Sequence, residues 1–147
     1  MRRVLLALLV AASACVIHFD GDGHDPLDEA IGDTAAEVNT HRAILDAAAD
    51  LTAVRAELAR HQQAMDDRLR ILHHRVDDRS CDDDQGMGSL RALTDSVAGV
   101  HHTYVADMDA MTSVAAAHER CDGYGTAMGD LLGHMMDRWM FMDCEHG

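Results

Sequence analysis

The sequence predicts an all-α protein: an antiparallel four-helix bundle built from two repeated helical hairpins. Three observations carry this reading. Apolar residues recur at helical spacing, as in Val38, Leu45, Ala48 and then Leu51, Val54, Leu58, Met65, Leu69, Leu72 and Val76. No segment alternates Val, Ile, Thr or aromatic residues as a half-buried strand would. The two halves are also copies. A shift of 63 residues aligns 38–81 with 101–144 without a gap and gives 11 identities in 44 positions. Alanine matches weigh little in alanine-rich helices, but Met65/Met128, Leu69/Leu132, Arg75/Arg138 and Cys81/Cys144 keep register.

The first helix starts cleanly. Asp25 is a capping residue, Pro26 suits the first helical position, and Asp28 places an acid in the first turn. Each copy spans about 55 residues, too long for one straight helix in so small a domain. Asp50 and its counterpart Ser113 are good N-caps near the middle of each copy. The helices are therefore expected over roughly 26–48, 51–79, 88–111 and 114–142, in hairpins 26–81 and 88–144. Cys81 to Gly88 forms the break between hairpins. Asp82-Asp83-Asp84 within it lacks EF-hand spacing and reads as a solvated loop. Asp122-Gly123-Tyr124-Gly125 is a rival turn, but the equivalent Ala59-Arg60-His61-Gln62 is not turn-like.

Ahead of the bundle, Met1-Arg2-Arg3 is followed by nine apolar residues, Val4 to Ala12. A bilayer span needs about 20 residues, so the run fits the core of an export signal instead. It ends in Ala12-Ser13-Ala14-Cys15. This resembles the bacterial lipobox, although the usual large aliphatic residue three before the cysteine is Ala12. The resemblance implies a bacterial lipoprotein: signal peptide 1–14, an acylated Cys15, and a tether over 15–25 leading to a bundle over 26–147. Such a protein sits in the cell envelope, lipid-anchored and facing the periplasm or the outer membrane. The bland alternative is an ordinary secretory signal cut after Ala14.

Without the signal the chain keeps 10 Arg, no Lys and 26 acids, a formal charge of −16. Such a field repels nucleic acid and anionic lipid and gathers cations. Nucleic acid is thereby excluded as a partner, leaving the membrane through the anchor and an envelope protein. No nucleophile motif, phosphate loop or catalytic carboxylate pair is present, so the chain does not read as an enzyme.

The side chains that could carry chemistry are eleven His and ten Met, with seven Met after residue 107. Imidazole and thioether together suit copper, and imidazole alone suits zinc among others. In general character the domain resembles the His/Met-rich helical metal-binding proteins of bacterial envelopes, and metal buffering, copper first and zinc second, is the leading functional expectation. In a hairpin turning near residue 50, facing residues sum to about 101, which sets His41 and His61 at one level. Their copies Tyr104 and Tyr124 meet likewise in the second hairpin. Glu37 and Glu57 flank the two histidines on the same helix faces. These six residues form either a mononuclear metal site or a hydrogen-bonded buried network.

A secondary metal cluster is expected at the far end of the bundle, from His73, His74, His134, Met136, Met140 and His146. Cys81 and Cys144, equivalent by repeat, are expected as a disulfide in an oxidising compartment. Cys121 is left as a buried small residue. Gly125, Gly129 and Gly133 form a stripe on the last helix, where each glycine costs roughly 1 kcal/mol relative to alanine. Close approach of a neighbouring helix accounts for it best; a flat cofactor such as non-covalent haem is the other reading. The alternative to metal buffering is a structural or interaction lipoprotein.

Overall fold

In a computed structural model that describes residues 25–142 and 144, four helices follow one another: α1 (Pro26–Asp46), α2 (Leu51–Asp77), α3 (Asp84–Asp109) and α4 (Val114–Met140). The lipobox with Cys15, the tether up to His24, and His146 lie outside the described residues. None of the described helices is long and apolar enough to cross a membrane.

Each helix is started by a side chain that satisfies an orphan backbone N–H. Asp25 accepts from Leu27, Asp50 from Ala53, Asp83 from Gly86 and Ser113 from Ala116. The hairpins turn at 47–50 and 110–113, with Ala47 and its copy Ala110 as C-caps. α3 begins at Asp84, four residues before the expected 88, because Asp83 caps the helix and draws Gly86 and Gly88 into its first turns. Asp122-Gly123-Tyr124-Gly125 is interior α4, not a turn.

α1 packs on α2 and α4, and α3 packs on α4 and α2, so the four form a square bundle with two seams within hairpins and two between them. The core is aliphatic and methionine-rich: Leu27, Ile31, Leu45, Leu72, Leu90, Met65 and its copy Met128, and Leu132 are essentially inaccessible. The unbranched thioethers fill irregular gaps between helices that are otherwise rich in alanine. Cys81 and Cys144 are disulfide-bonded, with Cα atoms 5.2 Å apart, and close the end opposite the hairpin turns. There Arg79 lies over the Trp139 ring and pairs with Asp25, fastening the start of α1 to the end of α2.

Candidate functional site

A polar layer crosses the middle of this apolar core. His41 on α1 and His61 on α2 stack face to face, ring centroids 3.7 Å apart and planes 11° from parallel. Tyr104 on α3 and Tyr124 on α4 stack in the same way at 4.0 Å and 12°. The two stacks meet edge on, nearly perpendicular. His41 Nε2 is 2.7 Å from the Tyr104 hydroxyl, and His61 Nε2 is 3.1 Å from the Tyr124 hydroxyl. In both pairs, as in the disulfide, the partners are 63 residues apart. Each residue thus touches its own copy, which happens only beside the axis that relates the two hairpins.

Beyond the histidines the chain of bonds crosses the hairpin. His41 Nδ1 lies 2.8 Å from Glu57, and His61 Nδ1 lies 2.8 Å from Glu37. Each carboxylate therefore serves the histidine of the other helix, not the one four residues along its own. Arg60 closes the arrangement by donating to both carboxylates at 2.6 to 3.2 Å. Carboxylate oxygens can only accept, so Nδ1 of each histidine carries the proton and Nε2 accepts from a phenol. Two directed relays result, Tyr104 to His41 to Glu57 and Tyr124 to His61 to Glu37.

His101, one turn before Tyr104 on α3, joins them. Its ring is fully buried, and its Nδ1 is 3.2 Å from the Tyr124 hydroxyl. Since that hydroxyl donates to His61, His101 donates to it, and its Nε2 is buried without a partner. Cys121 supplies the matching contact to Tyr104, with a hydrogen bond between thiol and hydroxyl. Burial keeps all these groups uncharged. It lowers His41, drives His61 down to about 2 and His101 to about 4, pushes the Cys121 thiol to about 11, and raises both phenols. Glu57 stays low despite its burial, because Arg60 and His41 hydrogen-bond to it.

The six residues expected at the core site are therefore together in one layer, but both ring nitrogens of His41 and of His61 already have partners. Their lone pairs also run parallel across a 3.7 Å stack and do not converge on a common point. Among the described residues, no group of three or more His, Cys, Asp and Glu side chains is disposed to hold a metal ion. At the far end, Met136 is buried with Met135 and Met142, while Met140 is exposed. His74 pairs with Asp78 there, and the disulfide occupies both sulfurs. His73 and His134 are on the last turns of α2 and α4 nearby.

The second hairpin holds an open groove of about 420 Å³, lined by Ser96, Gly99, Val100 and Thr103 of α3, by Arg120, Gly123 and Ala127 of α4, and by the two tyrosines. Its counterparts in the first hairpin, 63 residues earlier, include Ala36, Glu37, Thr40, Glu57, Arg60 and Ala64. The groove thus occupies the position where the first hairpin is sealed by the Glu37–Arg60–Glu57 clamp. Gly123 stands in place of Arg60, and Val100 and Arg120 in place of the two glutamates. A Cβ added at Gly99 or Gly123 would meet nothing within 4 Å. Arg120 pairs with Asp107 through one terminal nitrogen while its Nε is buried and unpartnered. By contrast, a Cβ at Gly125 would come within 2.5 Å of the Arg42 side chain, which explains that glycine by close packing.

The fold leaves three functional features that sequence reasoning did not find. His101 is the copy of Val38, a core position of the apolar pattern, so a histidine there signalled a buried imidazole. Arg60 is one of twelve arginines and nothing local marks it. The groove becomes visible only when Gly99 and Gly123 are set against Ala36 and Arg60.

The chain matches no protein family, no curated protein and no solved structure.

Proposed function

We propose that this chain is a binding module of the cell envelope, lipid-anchored through Cys15, whose α3–α4 groove takes a small, largely apolar molecule bearing one hydrogen-bond acceptor. The observation that carries the reading is the inequality of the two seams. One is sealed by its own side chains, and its copy is left open over the tyrosine pair. The volume falls within the range of about 300–1,000 Å³ usual for small-molecule sites, and the mostly apolar lining with few polar groups is also typical. Arg120, in the groove wall, is the cationic donor for the acceptor group. The His/Tyr layer then serves as a rigid floor, since a fully bonded buried network fixes its members in place.

Prodan, a neutral naphthalene ketone whose emission shifts to the blue in apolar surroundings, tests this. Its emission is expected to shift on adding the protein, and the shift should vanish in Gly123→Leu. That variant should also be no less stable thermally, because the added side chain enters open space and glycine in a helix costs roughly 1 kcal/mol against alanine. An equal shift in the variant would place the dye elsewhere and overturn the reading.

Copper or zinc buffering at His41 and His61 would require breaking the bonds to Tyr104, Tyr124, Glu37 or Glu57, and the orphaned donors would then cost about 1–3 kcal/mol each. Less than a tenth of an equivalent of either metal is therefore expected, on the order of background, in protein purified from an envelope without chelator or tag. One metal per chain by mass spectrometry, lost in a His41→Gln, His61→Gln variant that stays helical, would restore the metal reading.

A further inference from the structure

We propose that Tyr104 and Tyr124 form a reversible one-electron redox pair, each phenol passing its proton to its bonded histidine as the electron leaves. The relays supply the chemistry whatever the groove binds. A phenol that loses an electron becomes a strong acid, so its oxidation is easy only where a base already holds the proton's destination. His41 Nε2 is such a base, 2.7 Å from the Tyr104 hydroxyl, and His61 stands 3.1 Å from that of Tyr124. Both imidazoles are neutral, and the Nε2 lone pair of each already accepts the phenol's hydrogen bond.

At His41 the neighbouring carboxylates favour the same step. Glu37 and Glu57 share one Arg60, so the cluster behind the histidines holds two negative charges against one positive. An imidazolium formed at His41 or His61 brings that sum to zero, and its Nδ1–H remains bonded to a carboxylate. Desolvation keeps His41 neutral at rest, and once the oxidised phenol has released its proton the contact with Glu57 offsets part of the cost of the imidazolium. Stacking at 4.0 Å lets the second ring share the electron hole. Access comes from the groove, whose lining includes both tyrosines.

A one-electron oxidant, of the class of oxidising radicals or high-potential metal complexes, takes one electron from Tyr104. The phenolic O–H bond breaks, the proton moves to His41 Nε2, and a neutral phenoxyl radical faces an imidazolium. A one-electron reductant reverses both transfers. The protein would thereby act as a rechargeable sink for oxidising equivalents.

Tyr104 and Tyr124 are the only tyrosines and Trp139 the only tryptophan of the chain, so a radical can be assigned by type alone. The purified full-length protein is oxidised with photogenerated ruthenium(III) tris-bipyridine, freeze-trapped and measured by electron paramagnetic resonance, and the oxidation rate is followed in H₂O and D₂O. A tyrosyl signal is expected, with a slower rate in D₂O and loss of the signal in Tyr104→Phe/Tyr124→Phe. His41→Gln/His61→Gln should slow oxidation about 10²-fold, the lower end of what a positioned base contributes. An indole or sulfur radical alone in the wild-type protein, or a rate unchanged in D₂O, would overturn the proposal; neither readout depends on a variant's folding.

Discussion

Lowering the pH from 7 to 5 is expected to remove a large part of the bundle's stability. In the unfolded chain His41, His61 and His101 take up a proton near the ordinary value of 6.5. In the folded layer desolvation holds His41 below that value, His61 down at about 2 and His101 at about 4. Between those limits the unfolded state binds more protons, so stability is full above pH 6.5 and falls as the pH drops below it. Each group contributes a slope of about 1.4 kcal/mol per pH unit, so His61 and His101 together remove about 4 kcal/mol by pH 5, and His41 acts in the same direction. Domains of this size hold only about 5–15 kcal/mol in total. Glu57, also lowered, adds to the loss at still lower pH. Protonation of surface acids relieves some repulsion and acts in the opposite sense, but those charges are exposed and screened by salt. Urea melts followed by circular dichroism at pH 7, 6 and 5 should show the midpoint falling steeply. A flat midpoint down to pH 5 would mean that the three imidazoles are not buried in neutral form.

The second large effect concerns the disulfide. Cys81–Cys144 closes a loop of 63 residues that joins the ends of the two hairpins. In the chain-entropy model this constraint on the unfolded state is worth about 4 kcal/mol. Cys81→Ser/Cys144→Ser should therefore melt far below the native protein, by roughly 10 °C or more at this size. Reduction should lower the native protein to the same value and leave the variant unchanged. Equal melting of the oxidised and reduced native protein would show that the bond is not formed. The second result would also return two sulfurs to the Met-rich end of the bundle.

The helices were legible because their signals are local: an apolar repeat, four capping side chains, and turn positions that coincide under the 63-residue shift. The one boundary misplaced by four residues lies where Asp83 caps α3 and two glycines enter the helix, and glycine-rich sequence reads as loop. The His/Tyr layer was legible in composition, since His41, His61, Tyr104 and Tyr124 are related by both hairpin and repeat. Its bonding was not. Whether Glu37 serves His41 or His61 depends on side-chain reach across a seam, and the sequence sets only the spacing along each helix. The methionines admit two readings in sequence, soft-metal ligands or pliable core filler. Of the seven after residue 107, Met108, Met128, Met135, Met136 and Met142 are buried in the core.

The duplication gives the groove its meaning. Under the 63-residue shift the two seams are equivalent, and where the first has Arg60, Glu37 and Glu57 the second has Gly123, Val100 and Arg120. Closing the groove would have needed only the side chains that its own copy retains.

The most direct test of this central claim is a nitrogen-15 NMR titration of the protein with prodan. The account predicts saturable shifts at the Gly99 and Gly123 amides and at Arg120 Nε, with Ala36, Arg60 and Glu37 at the sealed seam unmoved. Shifts confined to other faces, or equal at both seams, would contradict it.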